Sequence, residues 1–444
     1  MSDTPAAVTA ETETEVGSYF VANYPPFSVW TPEAVSDAAH PALAAPPADV
    51  PLGLYLHIPF CRKRCHFCYF RVYTDKNAAE IQSYLDVLGH EWELYAEQPA
   101  IAGRPLDFIY FGGGTPSFLS VRQLTGLVDR LSAMTPWSTA REITFECEPG
   151  TLTEPKLAAI RQLGVTRLSL GIEHFDDHIL ELNGRAHRSP EIFRAYNFAR
   201  SIGFPQINID LIAGMLGETD EKWRMAVERT VELDPDSVTI YQMELPFNTT
   251  ISSDRLHGTG QFQETVASWS TKRRWVDEAF AALERAGYTV GSAYTAVKDP
   301  GRTKFVYRDR LWQGADLAGL GVASFGHING VHMQNLDSWG AYADAIRADR
   351  IPLNRAYRPT DEERLIRELV LQLKLGSIRP AYFRDKYGVD LRERFTAPLA
   401  SLDRDGYLAE ASPEAVRLSR DGLLRVDSLL PRFFLPAHTD IRYT

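Results

Sequence analysis

From residue 52 onward, short apolar runs alternate with helical patterns. Residues 52–58, 107–111, 142–147, 167–170, 206–211 and 237–242 read as strands, and most are largely apolar, as strands covered on both faces are. Between them, residues 78–97, 121–132, 154–163, 190–202 and 221–233 repeat apolar side chains at helical spacing. Strand and helix in alternation predict parallel βα units. The six units predict an α/β fold of the incomplete (β/α)6 TIM-type barrel kind, in which ligands meet the loops after the C-terminal ends of the strands.

The residues with chemical potential fall on that one rim. A cysteine-bearing loop follows the first strand, and the turn Gly112-Gly113-Gly114-Thr115-Pro116 follows the second. Glu146 and Glu148 close the third strand, Gly171-Ile172-Glu173 closes the fourth, and Asp210 lies near the end of the fifth.

The flanks divide the rest. Residues 1–50 hold an acidic tail (1–17), an aromatic segment from Tyr19 to Trp30, and a Pro/Ala-rich linker over 40–51. Residues 51–355 form the expected barrel with a C-terminal β extension, and 356–444 a small cap. Thr360 and Glu363 make a capping box ahead of an apolar-periodic helix over 365–375. Residues 317–336 are uncharged over a span that could cross a bilayer, but four Gly, two His, two Asn and a Gln favour a buried glycine-rich loop or strand. No secretory signature precedes the barrel, so a cytoplasmic protein is expected, with no membrane partner. The formal charge of −11 disfavours an anionic-surface binder. The 360–444 region balances 14 Lys/Arg against 14 Asp/Glu, which leaves no basic stripe for nucleic acid.

Cysteine placement is the sharpest signal. Cys61, Cys65 and Cys68 lie within one loop, and the chain has one other cysteine, Cys147. Soft thiolates select iron-sulfur clusters or zinc, and three on one loop can hold three irons of a 4Fe-4S cube while the fourth stays open. Zinc wants a fourth ligand, for which His57 or His66 would have to serve. Arg62, Lys63, Arg64 and His66 surround the thiols, a cationic setting expected to favour thiolate.

The Cys-x3-Cys-x2-Cys loop, followed by Gly-Gly-Gly-Thr-Pro on the next strand, resembles the radical S-adenosylmethionine (SAM) superfamily, and within it the oxygen-independent coproporphyrinogen III oxidase-like family. The resemblance extends to Tyr55-Leu56-His57-Ile58-Pro59-Phe60, Asn183-Gly184-Arg185, Asn208-Ile209-Asp210-Leu211-Ile212, Leu245-Pro246 and Gly319-Leu320-Gly321-Val322. It implies a 4Fe-4S cluster on Cys61, Cys65 and Cys68 whose open iron chelates SAM, with Gly112, Gly113 and Gly114 against its methionyl end. Tyr55, Gly113, Glu146 and Phe325 align with contacts to that SAM. Phe67, Gly114, Thr115, Arg185, Asp210 and Met243 align with contacts to a second, and Glu173 stands where the family usually has Gln. The resemblance also implies a winged-helix-like C-terminal domain and a low-potential electron donor such as flavodoxin or ferredoxin.

By resemblance, a reduced cluster cleaves SAM to a 5′-deoxyadenosyl radical that abstracts hydrogen. The porphyrinogen oxidases carry a further Cys two residues after the third ligand, whereas this chain has Phe70. That tilts the expectation toward a second SAM acting as methyl or methylene donor to an unsaturated carbon of an organic substrate, by C-methylation or cyclopropanation, possible partner methyltransferase included. Oxidative decarboxylation of a porphyrinogen is the alternative, and a non-catalytic haem chaperone the third. The aromatic N-terminal segment resembles the oxidases' extension, which the chaperones lack. His174, His187, His327 and His332 are candidates for later proton handling.

Overall fold

The computed structural model describes residues 20–246, 249–257 and 266–439. The acidic run 1–17 and Tyr19 lie outside the described residues. Six strands appear where the pattern predicts them: β1 (Leu52–Ile58), β2 (Leu106–Gly113), β3 (Glu142–Cys147), β4 (Arg167–Glu173), β5 (Gln206–Ala213) and β6 (Ser237–Gln242). They pair in sequence order and all in parallel. Each is followed by a helix, with principal members Ala78–Ala96, Val121–Met134, Glu154–Gln162, Ser189–Ser201, Asp220–Leu233 and Trp269–Arg285. Most begin on side-chain caps. Asn77, Ser120, Thr153, Thr219 and Ser268 each accept from a backbone N–H of the first turn, satisfying donors the helix cannot satisfy itself.

The sheet runs beyond these six. β7 (Thr289–Val290) and β8 (Thr295–Val297) add antiparallel pairs outside β6. β9 (Asp316–Leu320) lies parallel to β1, and β10 (Phe325–Ile328), β11 (Val331–Asn335) and β12 (Leu353–Tyr357) extend it by antiparallel pairing. The result is one twelve-stranded mixed sheet with β12 and β7 as its two edges. The glycine-rich stretch over 317–336 thus supplies three buried strands. Gly319 is required there, since a Cβ would sit 2.0 Å from the Phe325 carbonyl oxygen.

Two expectations need correction. The strands β1–β6 are not apolar on both faces: Leu54, Phe111, Phe145, Leu168, Ile209 and Ile240 point into the helix-covered core, while the alternate positions are polar or aromatic. The Pro/Ala linker is partly helical. Residues His40–Ala44 form a helical turn with Ala42 and Leu43 buried, because alanine favours helix and Pro41 suits a first turn.

A second apolar core brings together the helix Asp361–Leu373, the strands β13 (Ser377–Ile378), β14 (Leu408–Ala411) and β15 (Val416–Leu418), and the N-terminal segment. The small sheet has the order β13-β15-β14 and is antiparallel. The capping box is present, with Thr360 accepting from the Glu363 N–H and Glu363 accepting from the Thr360 N–H. Tyr24 hydrogen-bonds Leu435 and His438, while Val21 N–H donates to Asp427 and Arg367 donates to Asn23. The aromatic segment therefore straps the C-terminal unit to the main sheet, where Thr31 bridges Ala356 and Phe27 packs 4.3 Å from Phe325. Among the described residues, no helix is long and apolar enough to cross a membrane.

Candidate active site: the cysteine loop and the polar face of the sheet

The loop after β1 is held by the turn after β2. Gly114 N–H donates to the Ile58 carbonyl at 2.9 Å, Thr115 N–H to Phe60 at 2.8 Å, and the Thr115 hydroxyl to Cys61 Sγ at 3.3 Å. No side chain fits at the turn's second or third glycine. A Cβ at Gly114 would lie 2.9 Å from the Ile58 carbonyl oxygen, and Gly113, at φ +112°, would put one 2.7 Å from the His57 ring. Arg62 fastens the loop from the other side, with two of its nitrogens on the Glu148 carboxylate at 3.0–3.2 Å. Glu148 also accepts from the Gly150 N–H and pairs with His187 Nδ1 at 3.0 Å. Burial alone would raise the Glu148 carboxyl; His187, Arg185 and Arg62 outweigh it and hold it at about 2.

The thiols are chemically distinct. Burial pushes Cys61 up to about 12 despite the Thr115 bond, and raises Cys68 as well. This corrects the expectation from the surrounding cations: burial outweighs the charges that favour thiolate, those of Arg64 and Arg185 at Cys68 and of Arg185 at Cys61. Arg185 donates to Cys65 Sγ at 3.3 Å and to the Gly171 carbonyl at 2.6 Å. Cys147 is buried on the outward face of β3 with its thiol against the Phe145 carbonyl.

Below the loop, the polar face of the sheet forms a lumen. Tyr55, Gly112 and Glu146 come together: a Cβ on Gly112 would lie 3.1 Å from the Tyr55 ring and 3.2 Å from Glu146 Oε2. Tyr110 donates to Glu146 at 2.6 Å, and burial raises that carboxyl to about 7. Asp210 accepts from Ser169 at 2.9 Å and Asn208 at 2.8 Å, and burial raises it too, against the opposing charge of Arg167. Glu173 stands 3.5 Å from Arg185 with φ +67°, a left-handed backbone rare for a residue with a side chain. Burial raises it to about 7, opposed by Arg185. Phe67 and Met243 share a separate apolar cluster under the loop. Phe325 packs against the N-terminal segment through Phe27 and Trp30.

The histidine candidates do not face the lumen. His174 pairs with Glu218 and accepts from the Asp176 N–H, His187 is bound to Glu148 and Ile172, and His327 and His332 bond each other at 2.8 Å. Arg167, Ser169 and Tyr241 are lumen residues that the sequence reading passes over, and His57, Tyr110 and Asn208 enter it only as members of motifs or, for His57, as a possible zinc ligand. Their signal is period two along each strand, as in Arg167-Leu168-Ser169-Leu170. Beside β6 lies a cavity lined by Phe20, Tyr241, Trp269 and Tyr294, with Glu244 and Asp427 also in its wall. Burial and Asp427 push Glu244 up to about 8.

The donor set fits an iron-sulfur cluster: three thiols on one clamped loop, beside a glycine turn that any Cβ would block. Among the described residues no three His, Cys, Asp or Glu side chains converge on a single-ion position, and thiolates serving three different irons of a cube have no need to.

Comparison with known proteins agrees with this geometry. Residues 55–230 match the radical SAM superfamily model. The chain is 30% identical to the haem chaperone HemW of Bacillus subtilis, over 83% of this chain and 96% of that protein. It is 28% identical to an oxygen-independent coproporphyrinogen III oxidase of Escherichia coli, over 85% of this chain and 84% of the relative. The solved coproporphyrinogen III oxidase HemN of E. coli superimposes with a TM-score of 0.81 at 24% identity, covering 94% of this chain and 96% of that one. The chain therefore belongs to the radical SAM superfamily, in the family that contains the oxygen-independent coproporphyrinogen III oxidases and HemW.

Proposed function

We propose that this protein is a radical SAM enzyme whose partial barrel, residues 51–355, carries a 4Fe-4S cluster on Cys61, Cys65 and Cys68 and two SAM molecules in the lumen. The observation that carries the reading is the Thr115–Cys61 bond at 3.3 Å, which fixes the cysteine loop to the glycine turn. When bound, the cluster and SAM supply reductive cleavage of the sulfonium and hydrogen abstraction by the 5′-deoxyadenosyl radical. The chain's own residues bind and orient. Gly112 and Gly113 leave room for the methionyl end, and Tyr110 holds Glu146 beside it to take ribose hydroxyls. Phe325 completes that pocket through the N-terminal strap. Phe67, Gly114, Thr115, Glu173, Arg185, Asp210 and Met243 surround the second molecule. The winged-helix-like unit, 356–444, and the strap close the lumen against water.

The second SAM is read as a methyl or methylene donor to an unsaturated carbon. Position 70 is an exposed Phe whose ring lies tilted against Tyr69, with ring centroids 4.5 Å apart, where the oxidases carry Cys. Oxidative decarboxylation of a porphyrinogen is the second reading, favoured by the names of the E. coli relatives. Haem delivery is the third, favoured by the 30% identity to HemW. Methyl-deuterated SAM separates them. Carbon transfer places deuterium in 5′-deoxyadenosine and labelled carbon in product, decarboxylation releases carbon dioxide with unlabelled 5′-deoxyadenosine, and delivery gives stoichiometric haem binding with no substrate-dependent 5′-deoxyadenosine.

A further inference from the structure

Arg167 opens β4 on the lumen face, aligned with Thr144 of β3 and Gln206 of β5. It is 2% exposed. Among the described residues its guanidinium makes no hydrogen bond and no ion pair, and its Nε is buried without a partner. The Phe305 ring lies against it, 4.1 Å from Cζ to centroid, a contact that uses none of its N–H groups.

The acids nearby are committed elsewhere. Glu142 accepts from the backbone N–H groups of Val306 and Tyr307 and from the Thr144 hydroxyl, at 2.9–3.1 Å. Asp210 is held by Ser169 and Asn208, and Glu146 by Tyr110. Their charges act on Arg167 through space, but none of them bonds it, and a buried guanidinium N–H without an acceptor is a costly group for a fold to keep. Guanidinium N–H pairs match the two oxygens of a carboxylate in a flat, bidentate fork.

We infer that Arg167 is the floor of a carboxylate-binding subsite in the lumen, taking the carboxylate of a molecule bound there. Two sources share that chemistry: the methionyl carboxylate of a SAM, or a carboxylate of the organic substrate. Position favours the substrate. Arg167 lies six residues before Glu173 on β4, about 20 Å of strand below the rim where the glycine turn meets the cysteine loop. This inference concerns a ligand of the proposed enzyme, but its test does not depend on catalysis.

The full-length reconstituted protein is titrated with propionate and with uncharged propionamide, and thermal unfolding is followed. Propionate is expected to raise the unfolding temperature saturably and propionamide to leave it unchanged. Arg167→Met should lose that protection, binding propionate at least about tenfold more weakly, and should be as stable as the parent or more so without the probe. Overturning results are equal protection of parent and variant, no protection of the parent, or a folded variant less stable than the parent. The last of these would make Arg167 an internal counter-charge for Glu142, Glu146 and Asp210. Should Arg167→Met fail to fold, parent crystals soaked in 3-bromopropionate must show the bromine's anomalous signal beside the guanidinium, and its absence there refutes the subsite. SAM that competes with propionate, where 5′-methylthioadenosine does not, assigns the carboxylate to SAM; no competition by either assigns it to the substrate. Cleavage of SAM to 5′-deoxyadenosine, measured on the same parent sample, reports on the enzyme reading separately.

Discussion

The six parallel strands carry opposite chemistry on their two faces. On β4, Leu168 and Leu170 are fully buried against the helices, whereas Arg167 and Ser169 look into the lumen between them. On β3, Phe145 and Cys147 point outward while Glu146 points in. The outward face holds the fold by burial, about 25 cal/mol for each Å2 of apolar surface. The inward face holds carboxyls and aromatics whose hydrogen bonds are made mostly with each other. Stability and chemistry are thus separated by one residue of register, so neighbouring substitutions should have unlike effects.

The largest contrast is between cysteines. Replacing Cys61, Cys65 and Cys68 together with Ala should abolish iron and sulfide binding, measured by elemental analysis after anaerobic reconstitution. Cys147→Ala should keep the full complement, because its thiol is buried in the core against the Phe145 carbonyl, away from the cysteine loop. Iron retained in the triple variant would end the assignment of the loop.

Next in size is Leu168→Ala. A fully buried leucine on the outward face should cost about 2–5 kcal/mol in chemical unfolding, yet leave SAM affinity unchanged in the molecules that remain folded. Lumen substitutions should reverse that pattern. Glu146→Ala and Asp210→Ala each remove a charge-assisted contact worth about 1.5–3 kcal/mol, or about tenfold or more in affinity. Glu146→Ala should impair SAM cleavage itself; Asp210→Ala should spare part of it while suppressing product. Equal loss of cleavage in both would remove the two-site reading.

The separation also explains what the chain discloses. Strand and helix order was legible because caps such as Asn77, Ser120 and Thr219 and the apolar outward positions are local signals. The cysteine loop and glycine turn were legible because their residue types are chemically selective. The lumen was harder. Tyr110, Ser169 and Asn208 act only through partners on neighbouring strands, and Arg62 meets Glu148 across 86 positions of sequence. The apolar cores of these strands also masked their period of two. Charge near the thiols misled for a similar reason, since the sequence does not show how deeply Cys61 and Cys68 are buried.

The faces should also differ in pH response. Glu146 and Glu173 are raised from 4.5 to about 7, so the ligand-free protein favours their protonated forms. Their contribution is fully present below pH 4.5 and is lost as pH rises through about 7. Glu148 runs the other way: lowered to about 2, it stabilises above 4.5 and fails as pH falls through about 2. Glu146→Gln should therefore flatten the stability profile between pH 4.5 and 7 by on the order of 2 kcal/mol, while Glu148→Gln flattens it only in acid. A parent profile that rises steadily from pH 4.5 to 7, and is unaltered by Glu146→Gln, would contradict the burial of these carboxyls.

The smallest effect sharpens the comparison most, because Ser169 and Leu168 are adjacent. The Ser169 hydroxyl donates to Asp210 Oδ2 at 2.9 Å, a bond that favours the ionised carboxylate against burial. Ser169→Ala removes little volume and leaves Asp210 with Asn208 as its remaining close donor of the two. The expected stability change is about 1 kcal/mol, below that of Leu168→Ala. Its signature lies in binding: with one donor lost, Asp210 holds its proton to higher pH, so SAM affinity at the second site should fall most on the acid side and recover as pH rises. Titration of SAM binding at several pH values checks this. A uniform loss at every pH would mean that Ser169 supports packing alone, and that the inward and outward faces of β4 are less distinct than their side chains suggest.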